Sequence, residues 1–138
     1  MSEANLWAKI RERMAHKWDE ATRHEDKLNP GICDVSFVAG GRHGWVELKK
    51  IQWPKRAGTI VRCKHYTPEQ RNFLKRKGRA GGNTWLFVQI GRDHLLFDWE
   101  RAQQFGELNT EETLALANHV WRSRMDWDEF AEILKNGN

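Results

Sequence analysis

The sequence predicts an α/β domain, a mixed β-sheet flanked by helices. Residues 32–39 and 43–50 alternate apolar and polar side chains around Gly40-Gly41, as a hairpin does. A second strand pair, "TWLFVQI" and "HLLFDW", is joined by "GRD". Between the two pairs lies Thr67-Pro68-Glu69-Gln70, a helix start with a capping threonine, proline at the first helical position and the glutamine of a capping box. The order α-β-β-loop-α-β-β-α-α places strands and helices in one α/β domain.

Leu6, Ile10, Met14 and Trp18 recur every four residues, with Ala21 beyond, which predicts an amphipathic helix from about 4 to 22. Asn29-Pro30-Gly31 then breaks the chain before the first strand. Residues 51–65 read as a loop, punctuated by Trp53-Pro54 and Gly58, with a short strand suggested at 59–62. The capped helix should run to Lys77 and stop at Gly78. Two acidic helices close the chain, near 110–120 and 126–135, the second opened by Asp126 and Glu129 in capping-box spacing. No repeat divides the 138 residues, so one domain is expected, with an acidic helical part from about 105.

Composition excludes several classes. No run of 18 apolar residues exists, and the N-terminus "MSEANLWAKIRERMAHKW" is charged rather than signal-like. Cys33 and Cys63 match no metal spacing and read as free thiols, so a cytoplasmic location is expected. The six histidines form no zinc pair, no serine or cysteine has a base and an orienting partner in sequence, and no phosphate-cradling glycine loop is present. Charge is unevenly spread: residues 51–80 carry nine basic side chains and one acidic, whereas residues 81–138 carry five basic and ten acidic. A basic block of that kind suits a polyanion, although a merely solvated surface would look the same.

The hairpin raises the chemical question. With Gly40-Gly41 as a two-residue turn, paired positions sum to 81, so Val35 faces Val46 and Phe37 faces Gly44. Asp34 then falls opposite Glu47, and Lys49 shares Glu47's face. Facing side chains stand roughly 4.5–5.5 Å apart at Cβ, and like charges there repel. Open solvent would relieve the repulsion on a polar sheet face. A hard divalent cation would do so as well, because Mg²⁺ takes one or two carboxylates plus water and phosphate oxygens.

"GICDVSFV" followed by "GWVELKK" resembles the signature of the PD-(D/E)XK nuclease superfamily, an acid in one strand and Glu-x-Lys in the next. The likeness spans roughly residues 20–90 and is nearest in flavour to small Holliday-junction resolvases and to virus-type replication-repair (VRR-NUC) nucleases, including phage members. It implies a restriction-endonuclease-like sheet and a DNA endonuclease dependent on Mg²⁺ or Mn²⁺, selective for branched DNA. Asp34, Glu47 and the backbone carbonyl of Leu48 would hold the metal, and Lys49 would assist the attacking water. Cys33 stands where the family has proline. The resemblance further implies a supporting acid, with Glu25 preferred over Glu12 and Glu20, and a role for Gln70 near the site, for which its capping box is a complete rival explanation.

Lys55, Arg56, Arg62 and Lys64 of the loop, with Arg71, Lys75, Arg76 and Arg79 of the helix, are the expected phosphate contacts. Trp45 and Trp53 could stack on bases or be buried, while Trp18, Trp85 and Trp127 fit core positions. Small nucleases of this kind often pair, and the C-terminal helices, through Trp121, Trp127, Phe130, Ile133 and Leu134, are the candidate surface for a homodimer. The rival readings are an exonuclease or restriction-type nuclease of the same fold, and a DNA-binding module without turnover.

Overall fold

The protein is described here by a computed structural model covering residues 3–24, 31 and 33–137. Eleven elements follow in order: α1 (Glu3–Met14), β1 (Glu20–Arg23), β2 (Val35–Ala39), β3 (Arg42–Ile51), α2 (Pro68–Arg79), β4 (Asn83–Ile90), β5 (Asp93–Asp98), α3 (Trp99–Ala102), α4 (Thr110–Leu116), β6 (His119–Trp121) and α5 (Trp127–Asn136). The six strands form one sheet in sequence order. Only β3 and β4 run parallel, and α2 provides the crossover between them. The mixed α/β architecture is therefore the predicted one.

Each face of the sheet carries its own core. Leu6, Ile10 and Met14 of α1 and Phe130 and Leu134 of α5 pack on Val35, Phe37, Val46, Leu48 and Phe87. On the opposite face Phe73 and Leu74 of α2, with Tyr66, Ala102 and Phe105, pack on Leu86, Val88, Leu95 and Phe97. Near the first core, Asn83 donates to the Leu134 carbonyl at 2.6 Å and accepts from the Trp85 indole at 2.7 Å, which ties α5 to the start of β4.

The hairpin register is the predicted one, with Val35 across from Val46 and Phe37 across from Gly44. Gly44 is needed because a Cβ there would lie 2.4 Å from the tip of the Phe37 ring. Several boundaries differ from expectation. The N-terminal helix ends at Met14, and residues 20–23 form an added edge strand paired with β2. Trp18 keeps the helical spacing yet stacks on Phe37 at 5.1 Å from outside the helix. Helix α2 continues past Gly78 to Arg79, since Gly78 is required by packing: a Cβ there would sit 2.1 Å from the Trp99 ring. The strand suggested at 59–62 reduces to one bridge between Ile60 and Asn109. The helix expected near 110–120 ends at Leu116, and residues 119–121 add strand β6.

The proposed dimer surface is corrected by burial. Trp121, Phe130 and Leu134 are buried in the first core, with Trp127 and Ile133 packed against it. That apolar face already has a partner within the chain. Cys33 and Cys63 are free, as expected. No helix among the described residues is long and apolar enough to cross a membrane.

Candidate active site

The ladder between β2 and β3 ends at Val35 and Val46, one step short of Asp34 and Glu47. Asp34 closes that gap with its side chain, its Oδ2 accepting the Leu48 backbone N–H at 2.9 Å. The Asp34 backbone carbonyl in turn accepts the N–H of His24 at 2.7 Å, which ties it to the end of β1. In an extended strand the N–H and C=O of one residue point to the same edge, so the Leu48 carbonyl also lies on the Asp34 side. The Leu48 side chain, by contrast, is buried in the first core.

Glu47 is 0% exposed. The solvated polar face is thereby ruled out for this residue. Neither carboxylate oxygen has a hydrogen-bond partner. Lys49, itself buried, stands 3.4 Å from Glu47 Oε2 and donates to the His65 carbonyl at 2.9 Å. Burial, and next the charge of Asp34, hold the Glu47 carboxyl well above the usual carboxylate range; Lys49 offsets part of this. A buried carboxyl without hydrogen bonds is a costly arrangement that packing alone does not call for.

The donors suit a hard cation. Asp34, Glu47 and the Leu48 carbonyl supply oxygen only, and Glu47, with Oε1 unpartnered and Oε2 paired only with Lys49 at 3.4 Å, is the kind of group that a metal would satisfy. Among the described residues no group of three or more His, Cys, Asp or Glu side chains is placed so that it could hold a metal ion, so any metal here would rest on two carboxylates and backbone oxygen. Two carboxylates, a carbonyl and exchangeable ligands fit Mg²⁺, which retains several waters.

A residue that the motif did not indicate joins the cluster. Glu3, at the first turn of α1, places Oε1 4.0 Å from Lys49 Nζ. Of the acids preferred beforehand, Glu25 lies outside the described residues. Glu12 is exposed and lines an open groove with Arg13, Lys17 and Arg124, and Glu20 lies exposed on β1. Glu3 gave no signal because its position depends on how α1 crosses β3, which no spacing encodes.

Gln70 Oε1 accepts the Thr67 N–H at 3.0 Å while Thr67 Oγ1 accepts the Gln70 N–H at 3.2 Å, a complete capping box. That accounts for the glutamine structurally. It fixes the start of α2 directly after His65, whose carbonyl holds Lys49.

The basic block divides in two. Lys55, Arg56, Arg62, Lys64, Arg76 and Arg79 are exposed and Lys75 is half-buried. Arg62 and Lys64 lie within three residues of His65, the residue whose carbonyl accepts from Lys49. Arg71 is different: its guanidinium donates to the Gln103 carbonyl at 2.9 Å and lies 4.3 Å over the Tyr66 ring. We expect Arg71→Ala to lower stability by about 1.5–3 kcal/mol, as for other hydrogen bonds to charged groups. If the chain binds DNA, as proposed below, that substitution should leave the salt dependence of the affinity unchanged. Arg62→Ala or Lys64→Ala should each reduce that salt slope by about one without touching stability, as measured by anisotropy across a salt series.

No family model and no curated protein matches the chain. Its fold is that of a solved structure of Hjc from Archaeoglobus fulgidus, a Holliday junction resolvase from an archaeal hyperthermophile. The TM-score is 0.54 at 15% identity, over 94% of this chain and 96% of that one. At that identity the likeness establishes the fold.

Proposed function

We propose that this protein is a metal-dependent DNA endonuclease of the PD-(D/E)XK type, selective for branched DNA. The observation that carries the reading is Glu47: a fully buried carboxyl whose only close charge partner among the described residues is Lys49 at 3.4 Å and whose pKa is raised by burial and by the neighbouring Asp34. Of the two kinds of relative suggested by the motif, the likeness in fold to a junction resolvase supports the junction-resolving reading.

Asp34, Glu47 and the Leu48 carbonyl would hold Mg²⁺ or Mn²⁺, which when bound stabilises charge on the phosphoryl oxygens and acidifies water. Lys49 would donate a hydrogen bond to a water beside the carboxylates and face the charge that builds on phosphate during attack. Its ammonium is held by the His65 carbonyl and Glu47, so little reorganisation is needed. Glu3 would balance Lys49 from the α1 side. Lys55, Arg56, Arg62, Lys64, Lys75, Arg76 and Arg79 would grip backbone phosphates, and Gln70 would act by fixing α2. Two coordinated nicks would require two copies, through a surface other than the buried face of α5.

The test is cleavage of a labelled four-way junction beside a linear duplex and a closed circle, in Mg²⁺ or EDTA. Paired nicks in the junction alone, abolished by EDTA, are expected. Equal cutting of junction and duplex would leave an endonuclease without junction selectivity. An uncut circle beside a degraded linear duplex would make it an exonuclease, and metal-independent binding without turnover would make it a binding module.

A further inference from the structure

The face of β3 that carries Lys49 and Glu47 continues outward to Trp45 and His43, because alternate residues share a face. Register extends it across two strands: Trp45 lies beside Ser36 and His43 beside Val38, while Ser36 and Val38 pair in turn with Thr22 and Glu20. Helix α2 covers the β4 side of this face, where Leu86 and Val88 are buried under Phe73 and Leu74. Among the described residues no helix covers the β1–β2 side, where His24 pairs with Ser36 Oγ at 2.8 Å and a shallow cleft of about 150 Å³ is lined by Glu20, Thr22, Ser36, Phe37, Val38 and His43.

Trp45 stands at the boundary, half-buried, with Phe73 at 5.2 Å meeting it edge-on. His43 approaches at 80° and His24 at 40°, so no ring lies parallel on the indole. Cations border the aromatic strip on the α2 side. Lys77 Nζ is 6.0 Å from the Trp45 ring and 5.6 Å from Phe73, and Arg76 lies 5.8 Å from Phe73. The acidic group in the cleft, Glu20, lies on the far side. Phosphate would therefore follow α2, and a neutral base would face the sheet.

We infer that this strip seats an unpaired nucleotide, its base against Trp45 and His43 and its phosphate toward Lys77 and Arg76. The inference rests on the nuclease reading and adds a substrate class: DNA with an unstacked base next to the cleaved bond. Two residues of β3 span about 6.8 Å, twice the 3.4 Å axial rise per nucleotide of a duplex strand, so the base would lie within about two nucleotides of the scissile phosphate. Aromatic stacking suits this role because every base has a π-face.

The experiment uses the full chain carrying Glu47→Gln, so that DNA is not cut, in Mg²⁺ buffer. The probes are a duplex with one unpaired 2-aminopurine beside a nick and the same duplex fully paired. Binding is read by anisotropy and stacking by 2-aminopurine emission. We expect quenching of the unpaired probe and about five- to hundredfold tighter binding than to the paired one. Trp45→Leu should abolish the preference and the quenching, while Trp45→Phe keeps part of both. His43→Ala, at an exposed position, should weaken the preference and decides the matter if Trp45→Leu does not fold. Unchanged preference and quenching in these variants would overturn the stacking site. Equal binding of both probes by the parent would overturn it while leaving the nuclease reading intact. No binding of either probe would likewise overturn the stacking site, while the nuclease reading stands or falls separately on cleavage of the four-way junction.

Discussion

Glu47→Gln is expected to abolish cleavage and at the same time to raise thermal stability. Under the proposed nuclease function, the first effect follows from removing one of the two carboxylates that would flank the reacting phosphate. Loss of several kcal/mol of transition-state stabilisation corresponds to at least about a thousandfold slower cutting. The second follows from burial. The Glu47 carboxyl is shielded from solvent, neither oxygen is hydrogen-bonded, and Asp34 adds like charge. An amide of similar volume removes the charge, with an expected gain of about 1–2 kcal/mol, or roughly 3–8 °C in the thermal midpoint. Lys49→Met is the contrasting variant: cleavage falls and stability falls too, since the two acids lose their counter-charge. Mg²⁺ should raise the midpoint of the wild type through preferential binding to the native state, and not that of Glu47→Gln. Scanning calorimetry with and without Mg²⁺ measures all three. A Glu47→Gln protein less stable than wild type would make Glu47 a structural residue and remove the main support for the nuclease reading.

What the sequence made legible was what depends on neighbours along the chain. The Gly40-Gly41 turn sets the hairpin register, and that register brings Asp34, Glu47 and Lys49 together. The caps at Thr67 and Asp126 are likewise local, and both are present. Where tertiary contacts decide, the spacing of residues along the chain carries less. Trp18 and Ala21 keep helical spacing, yet the chain leaves the helix at Met14 because residues 20–23 gain a ladder with β2. Strand β6 is only three residues long and exists by pairing with β5. Arg71 looks like its basic neighbours in sequence, and only the position of α3 turns it inward. The crossing of α1 over β3 brings a further acid, Glu3, to Lys49, while Glu25 lies outside the described residues. The burial of Glu47 could be read from neither composition nor alternation, because charged residues at strand positions usually face water.

The pH dependence of stability should carry two opposed limbs, and substitutions separate them. His94 is 3% exposed, stacked on Phe87 at 5.6 Å and edge-on to Trp127 at 6.2 Å, with neither ring nitrogen hydrogen-bonded. Burial, then Lys9, lowers its pKa from 6.5 to about 4; Asp93 opposes this and Lys50 adds to it. Between those values the unfolded chain takes up a proton that the folded protein refuses. The stability associated with neutral His94 is therefore present above pH 6.5 and is lost as pH falls toward 4, by about 2–3 kcal/mol. Glu47 acts in the opposite sense. Its pKa is raised in the fold, so the folded protein binds a proton more readily than the unfolded chain, and its contribution is present at low pH and lost as pH rises through the raised value. In metal-free wild type the two partly cancel between pH 4.5 and 6.5. His94→Phe, which also removes two unsatisfied nitrogens from the core, should raise stability at neutral pH and leave a curve that climbs as pH falls toward 4.5. Glu47→Gln should do the reverse and expose the steep acid loss due to His94. Urea denaturation of the three proteins at half-unit steps from pH 4.5 to 8, in EDTA, measures this. Parallel curves would mean that neither group changes its proton affinity on folding, and the buried charge on which the active-site assignment rests would no longer hold.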